Sequence, residues 1–289
     1  MDVGQSAVDA STLSPRAVSL RQSWDVVPGT VLAAIGEQTG RITAVVTADT
    51  GYSSHIAATL DTESGKVFVK GMRTDCRAAR TQQHEATVNP YVTPISPRLL
   101  WRVVADGWDV LGFEYVKGRS ASFSQASGDL QLVVDVMTVL ATITAPDLEL
   151  APAEERWSGY LDRPSDAAML RGPTLLHTDW HHTNLLVTAA NTMRVVDWAM
   201  AIRGAAWIDP ACWVVWLLYA GHTANEAQQW AERVPAWSAA PDGSLDVFAS
   251  VLARDWQDIA DNHPNTMTYR LSDAAARWAA HRHAAARSQ

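Results

Sequence analysis

The sequence has few cysteines, which excludes two kinds of protein. Its 289 residues include two, Cys76 and Cys212, and neither belongs to a spacing that is typical of a metal site. Two thiols are also too few for the disulfide framework of a small secreted domain. We therefore interpret both as ordinary reduced thiols in a protein that folds around a hydrophobic core.

Long apolar runs and a basic leader are also missing. The longest strongly apolar stretch, residues 211–220, is about half the length that a helix needs to cross a bilayer. Residues 1–10 contain two aspartates and no Lys or Arg, unlike the positively charged start of a secretory signal. The sequence therefore predicts a cytoplasmic protein that has no membrane partner.

The sequence also has fewer basic residues than acidic ones, 23 against 31. The formal net charge is −8 at pH 7, and most of the negative excess lies after residue 115. Nucleic-acid affinity comes mainly from Lys and Arg that neutralise phosphates, so no nucleic-acid partner is expected. An acidic surface mildly favours a cationic ligand, although it also serves simply to keep a protein in solution. No pattern in the sequence predicts an oligomeric state.

What the sequence does contain is typical of a folded protein, with 47% apolar and 19% charged residues. Strands are predicted at residues 42–46, 54–60, 66–70, 98–104, 108–115, 174–176, 185–187 and 193–196, and helices at 29–38, 75–88, 130–144 and over most of the chain after 208. Strands followed by helices predict an α+β fold, with a small antiparallel sheet lobe and a mainly helical lobe. We expect residues 1–39 to form an extension with a short helix, 40–116 the sheet lobe and 117–289 the helical lobe.

Chemistry is concentrated in residues 176–187 and 194–198. These segments place Asp179, Asn184 and Asp197 on loops beside short apolar strands. Phosphoryl transfer needs one carboxylate that orients the acceptor hydroxyl and accepts its proton, together with oxygen ligands for a metal ion. Carboxylate and amide oxygens suit Mg²⁺. The segment therefore favours a magnesium-dependent phosphoryl transfer.

The same segment resembles the aminoglycoside phosphotransferase family, whose relatives include choline kinases and, more distantly, protein kinases. The family's His-x-Asp-x-x-x-x-Asn loop matches His177, Asp179 and Asn184, and its metal-binding aspartate matches Asp197 in residues 195–198. The resemblance implies a protein-kinase-like two-lobe fold. It also implies that Asp179 is the catalytic base, that His177 supports the loop, and that Asn184 and Asp197 bind Mg²⁺.

Upstream residues extend the resemblance to roughly residues 40–220. The family has a Lys on its third strand that contacts the α- and β-phosphates, and a Glu on the next helix that holds it by an ion pair. Lys70 ends the third predicted strand and Glu85 lies in the following predicted helix. The resemblance therefore implies that both residues serve nucleotide binding.

Two further nucleotide contacts follow from the resemblance. The turn at 49–54 lies where the family's phosphate-covering loop belongs, and backbone amides there together with hydroxyls could bind phosphate. Its candidate residues are Gly51, Ser53 and Ser54. Residues 113–118 look like the hinge between the lobes, where the carbonyl of Glu114 and the amide of Val116 would bind the adenine edge.

Residues 204–210 look like the family's glycine and Asp-Pro stretch, which opens the next helix without a long activation segment and so favours a small-molecule substrate. We interpret Asp209 in this stretch as a helix cap beside Pro210. The sequence departs from the family at Thr178, where a glycine is common, and at residues 180–182, which replace a segment that often contains Pro.

The resulting hypothesis is an ATP- or GTP-dependent small-molecule kinase. Its acceptor could be an aminoglycoside or another antibiotic, and a role in antibiotic resistance would follow from such an acceptor. One alternative is a nucleotide-binding, pseudokinase-like module without turnover, although Asp179 and Asp197 are both present. A second is a metal-dependent hydrolase that uses His177, His181 and His182 with Asp179, which leaves Lys70 and Glu85 unexplained.

Overall fold

The computed structural model describes residues 21–48, 54–76 and 79–286. This part of the chain divides into two compact units. The first consists of the described residues up to Gly118 together with the short segment Val196–Ala199. The second consists of Arg119–Val195 and the residues from Met200 onward. Asp197 therefore folds with the first unit, although the residues before and after the segment Val196–Ala199 belong to the second.

Strands dominate the described part of the first unit. They are β1 (Ile42–Thr47), β2 (Ile56–Thr62), β3 (Gly65–Arg73), β4 (Leu99–Ala105) and β5 (Trp108–Glu114). They form one five-stranded sheet in the order β1-β2-β3-β5-β4, and every neighbouring pair is antiparallel. The predicted antiparallel sheet is therefore confirmed, and β3 lies at its centre.

The connection between β4 and β5 is a two-residue turn. Ala105 pairs with Trp108, and Asp106 and Gly107 have φ angles of 46° and 74°. Two successive positive φ values are typical of a type I′ hairpin turn, for which Asp-Gly is a preferred pair. The turn therefore joins β4 and β5 in a tight antiparallel hairpin.

Two α-helices complete the described part of the first unit, α1 (Gly29–Thr39) and α2 (Ala79–Val92). Helix α1 follows Pro28 and ends at Gly40, whose positive φ of 71° suits a residue without a side chain. Its buried face packs on the inner side chains of the sheet in one hydrophobic cluster, which includes Val31, Ile35, Ile56, Leu60, Val69 and Val110. This cluster supports β3 from one side.

Helix α2 differs from its predicted bounds of 75–88. Residues 74–76 form a turn, and the helix continues through Pro90 to Val92. Proline removes one backbone donor, but here it lies in the last turn, and Val92 is fully buried. The Asn89 side chain also donates to the carbonyl of Pro97 (2.8 Å) and accepts from the amide of Leu99 (2.7 Å). Packing and these bonds therefore extend the helix past the proline.

Helices dominate the second unit. They are α3 (Asp129–Leu140), α4 (Ala153–Arg156), α5 (Ala167–Leu170), α6 (Ile208–Tyr219), α7 (Ala224–Ala231), α8 (Ser244–Asn262) and α9 (Thr266–Ala286). Short strands lie between them, namely β6 (Gly118–Ser120), β7 (Thr174–Leu176), β8 (Leu185–Thr188), β9 (Met193–Val195) and β10 (Ile202–Gly204). One small sheet has the order β6-β8-β9, and β10 pairs with β7. The loop between β7 and β8 carries the predicted chemistry.

Helix α6 is the centre of the second unit's core. It is apolar on every side, and Ile208 through Leu218 are all buried, as expected for a helix surrounded by other elements. Trp207 and Trp213 are buried with it. Across residues 21–48, 54–76 and 79–286, no helix combines the length and the hydropathy that crossing a membrane requires.

The cross-strand contact between β4 and β5 gives a test of the sheet. A Cβ atom added at Gly112 would overlap the indole ring of its strand partner Trp101. We expect Gly112→Ala to lower the free energy of unfolding by about 1–3 kcal/mol, because the ring must move out of a packed position. Chemical denaturation measures the loss.

Gly36→Ala is the matched control, since no heavy atom lies within 4 Å of the added Cβ at this position in α1. We expect it to stabilise the protein by about 0.5–1 kcal/mol through helix propensity. Equal stability of the two variants would contradict the packing assigned to Gly112.

Candidate functional site

A buried lysine connects two acidic residues in the first unit. The Nζ atom of Lys70, on β3, donates to Oε2 of Glu85 (2.7 Å) and to Oδ1 of Asp197 (2.9 Å). These partners are 15 and 127 residues away in sequence. The Lys–Glu ion pair that the resemblance implied is therefore present, and Asp197 joins it. We call Lys70, Glu85 and Asp197 the ion triad.

The ion triad holds its lysine in the charged form. Burial alone would lower the pKa of Lys70, but the nearby carboxylates of Asp197 and Glu85 outweigh this effect and raise it above its ordinary value. Burial raises the pKa of Glu85, and the Lys70 ammonium opposes that shift. With both carboxylates ionised, the triad carries one excess negative charge. Its donor oxygens and this charge suit a hard cation such as Mg²⁺.

Asp197 has an uncommon backbone conformation. Its φ angle is 68°, in the left-handed region, where Asp is tolerated better than most residues. The next residue anchors this geometry, because Trp198 is buried and its Nε1 donates to Oγ of Ser96 (3.1 Å). The backbone N–H of Trp198 also donates to the carboxylate of Glu85. The side chain of Asp197 is 23% exposed, so solvent or a ligand can reach it.

In the second unit, the loop between β7 and β8 brings Asp179 and Asn184 together. The Nδ2 atom of Asn184 donates to Oδ2 of Asp179 (2.9 Å) and to its backbone carbonyl (3.0 Å). Asn184 is buried and Asp179 is half-buried. The side-chain amide of Asn184 therefore orients the carboxylate of Asp179.

His177 supports the same loop from below. Its side chain is fully buried, and its Nδ1 accepts a hydrogen bond from the backbone N–H of Asp179 (3.2 Å). The ring lies 5.5 Å from that of Trp180. The hydrogen bond from the Asp179 N–H to the His177 ring fixes the backbone at Asp179.

Asp209 is the residue whose role the sequence interpretation missed. The backbone N–H groups of His177 (3.0 Å) and Thr178 (2.8 Å) and the Nε1 of Trp180 (2.9 Å) all donate to its buried carboxylate. Burial raises the pKa of Asp209, and these hydrogen bonds oppose the shift.

The helix-cap interpretation of Asp209 was therefore wrong. Its side chain binds the 177–180 segment of the loop, and it lies inside α6 after the cap residue Trp207. The signal that could have revealed it is a single charged residue within the apolar run 207–218. A buried charge in such a run needs partners from elsewhere in the chain.

Solved structures of small-molecule kinases resemble the chain over most of its length. An aminoglycoside phosphotransferase from Alicyclobacillus acidocaldarius has a TM-score of 0.62 at 14% identity and covers 92% of this chain and 94% of its own. Choline kinase LicA from Streptococcus pneumoniae has a TM-score of 0.58 at 11% identity, with coverage of 86% and 96%.

A thermostable mutant of aminoglycoside phosphotransferase APH(4)-Ia, in a ternary complex with AMP-PNP and hygromycin B, has a TM-score of 0.56 at 15% identity, with coverage of 85% and 97%. No protein-family model and no curated protein sequence matches the chain. The chain has the protein-kinase-like fold. The fold class predicted from the sequence is thereby confirmed.

Other predicted nucleotide contacts of the kinase-like fold are only partly described. Gly51 and Ser53 lie outside the described residues, whereas Ser54 is described and buried. Glu114 ends β5, and its backbone N–H donates to the carbonyl of Arg98 (2.9 Å). Val116 follows it as a half-buried residue. The roles assigned to these residues remain predictions.

His181 in the loop between β7 and β8 is packed against its neighbours. Nδ1 of His181 lies 2.5 Å from Oγ1 of Thr183, and its ring packs edge-on against Trp216 at 4.8 Å. Within the described ranges, no group of three or more His, Cys, Asp or Glu residues is arranged to hold a metal ion.

The ion triad gives a test that needs no substrate. Lys70→Met leaves the carboxylates of Glu85 and Asp197 facing each other without a cation, and we expect it to lower the free energy of unfolding at pH 7 by about 3–5 kcal/mol. Lys66→Met is the control on the same strand, since Lys66 pairs with Asp61 at the surface. That change should cost less than about 1 kcal/mol.

The deficit of Lys70→Met should also depend on pH. Without the ammonium, burial and the charge of Asp197 raise the pKa of Glu85 in the folded state above its unfolded value. The folded variant then binds a proton more readily than the unfolded chain. Its stability therefore falls as the pH rises from the unfolded pKa of Glu85 to the folded one. Denaturation at pH 5 and pH 7 should show a smaller deficit at pH 5. A deficit that is equal at both values would rule out this electrostatic account.

Proposed function

We propose that the protein is a small-molecule kinase that transfers the γ-phosphoryl group of ATP or GTP to a hydroxyl group. The observation that carries the proposal is the buried ion triad, in which Lys70 joins Glu85 and Asp197 from distant parts of the sequence. The similarity of the fold to solved kinase structures supports it.

The ion triad serves the nucleotide. Lys70 is held charged and in place by Glu85, and binds oxygens of the α- and β-phosphates. Asp197 and Asn184 offer hard oxygen donors that would hold Mg²⁺, and the excess negative charge of the triad favours a cation there. An ion held there would neutralise charge on the phosphates during transfer.

The 177–184 loop serves the acceptor. The carboxylate of Asp179 accepts the proton of the attacking hydroxyl as the new O–P bond forms and the bond from the γ-phosphorus to the β-phosphate oxygen breaks. Asn184 orients this carboxylate through its hydrogen bond to Oδ2. His177 and Asp209 hold the backbone of the loop. The nucleoside diphosphate leaves, and the proton remains on Asp179.

We assign nucleotide binding to residues 40–116 and catalysis with acceptor binding to 117–289. In this assignment Gly51, Ser53 and Ser54 cover the phosphates, and Glu114 and Val116 bind the adenine edge. Asp197 extends the nucleotide side, since the segment Val196–Ala199 folds with the first unit. The protein is expected in the cytoplasm, without nucleic-acid or membrane partners.

The acceptor is an alcohol that also carries an amine. Acidic side chains are frequent on α7, directly after it and on α8, namely Glu226, Glu232, Asp255, Asp258 and Asp261. Burial raises the pKa of Asp255, and a cationic ligand would relieve this cost of burying a carboxylate. An aminoglycoside, an amino sugar or a choline-like alcohol has this chemistry, and an antibiotic acceptor would make the protein a resistance enzyme.

The direct test is a coupled assay of nucleoside diphosphate release with ATP and with GTP. The acceptor panel contains aminoglycosides, other antibiotics, amino sugars and amino alcohols, and mass spectrometry identifies the phosphorylated product. A nucleotide-binding module without turnover would bind the nucleotide but give no product with any acceptor.

Asp179→Ala should lower turnover by at least about a hundredfold, because general-base catalysis typically contributes that much. Nucleotide affinity should change little, since Asp179 is assigned to the acceptor. The melting temperature should also change little, since Asp179 is only half-buried. Asp135→Ala is the control, because Asp135 is an exposed aspartate on α3. Near-normal turnover by the Asp179 variant would defeat its assignment as the base.

Asp197→Asn should weaken nucleotide binding at least about tenfold when Mg²⁺ is present, because a metal carboxylate becomes a neutral amide. Asn tolerates the left-handed conformation, so the backbone is preserved. Titration calorimetry with and without Mg²⁺ measures the effect, and the exposed Asp75→Asn is the control. If the parent protein binds nucleotide equally well with and without Mg²⁺, the metal assignment fails.

A further inference from the structure

Thr178, which precedes Asp179, has a backbone conformation that its side chain disfavours. Its φ angle is 66°, in the left-handed region. A β-branched residue is a genuine outlier there, whereas glycine adopts this region freely. Something in the structure must compensate for a threonine at this position.

The backbone N–H of Thr178 donates to Asp209 (2.8 Å), and the hydroxyl of Thr178 supplies the rest of the compensation. It donates to the backbone carbonyl of Met200 (3.1 Å) and accepts from Nη1 of Arg156 (2.8 Å), so it acts as donor and acceptor at once. The same Nη1 lies 3.4 Å from the carbonyl of Met200. Arg156, Thr178 and Met200 therefore close a small polar ring beside the loop. We call this ring the loop clamp.

Arg156 is itself held in place. It ends α4, and its guanidinium lies 4.9 Å from the centre of the Trp157 ring. The Nε1 of Trp157 donates to Oδ2 of Asp255 on α8 (3.0 Å). The positive charge of Arg156 also opposes the rise that burial causes in the pKa of Asp255. The clamp thus connects the acidic helix α8 with the residue before Asp179.

We propose that Arg156 and Thr178 are positioning residues that set the direction of the Asp179 carboxylate; this rests on the proposed function. Glycine at position 178 would permit many backbone conformations, and each would aim Asp179 differently. The clamp selects one of them. Because it acts on the base and touches no nucleotide, its loss lowers kcat and leaves the KM for nucleotide unchanged.

Thr178→Gly separates this role from a merely structural one. Glycine relieves the left-handed strain, so the melting temperature should stay equal to that of the parent or rise. The lost hydroxyl bonds should nevertheless lower kcat at least fivefold, with the KM for nucleotide within twofold. A structural role alone would move stability and turnover in the same direction. Thr178→Ser keeps the hydroxyl and should restore most of the turnover that the glycine variant loses.

A double-mutant cycle tests the partnership with Arg156. Arg156→Met keeps most of the side-chain length without the charge or the donors, and should lower kcat by a similar factor. Because both residues act through the same hydrogen-bonded ring, the Arg156→Met/Thr178→Gly double variant should lose no more kcat than the worse single variant. Multiplicative losses, or a kcat for Thr178→Gly within twofold of the parent, would overturn the proposal.

A second measurement separates failure of the clamp from failure of the proposed kinase activity. If the parent transfers phosphate to no acceptor, amide hydrogen exchange of the peptide spanning residues 177–184 is compared among the same variants. Faster exchange in Thr178→Gly and Arg156→Met, but not in Thr178→Ser, supports the clamp without reference to activity. Equal exchange in all variants refutes it.

Discussion

The first unit depends on one interaction, the ion pairing of the buried Lys70 ammonium with two carboxylates. A buried charge costs several kcal/mol unless oppositely charged partners surround it. Glu85 comes from α2 and Asp197 from the segment Val196–Ala199, so this requirement brings β3, α2 and that distant segment together. The charges that stabilise the unit are the same ones that, in the proposed function, bind a metal–nucleotide complex.

The second unit uses a buried charge differently. The carboxylate of Asp209 accepts hydrogen bonds from the backbone of His177 and Thr178, and so organises a loop instead of binding a ligand. In both units a residue of the candidate site has a positive φ without being glycine, Asp197 at 68° and Thr178 at 66°. Such conformations persist only where surrounding contacts hold them, and they are common at functional sites.

Much of the fold and part of the site could be predicted, because their signals are local. The Asp106-Gly107 turn and the alternating strands depend on neighbours in sequence, and the spacing of His177, Asp179 and Asn184 marks one loop. The end of α2 was missed, since burial of Val92 outweighs the proline before it. The contacts of Asp209 and Arg156 were missed for a related reason: their partners lie on other elements.

Residue order alone sufficed for most of the longer strands and helices, the antiparallel hairpin and the chemical groups available for phosphoryl transfer, because turn propensity and hydrophobic period act over a few residues. Packing alone decided that Asp197 joins Lys70, that Asp209 holds the loop and that Arg156 reaches Thr178. Those contacts span 22 to 127 residues. A buried polar group needs a hydrogen-bond or charge partner, and that partner is whichever polar group the fold brings near. The sequence around the buried residue does not identify it.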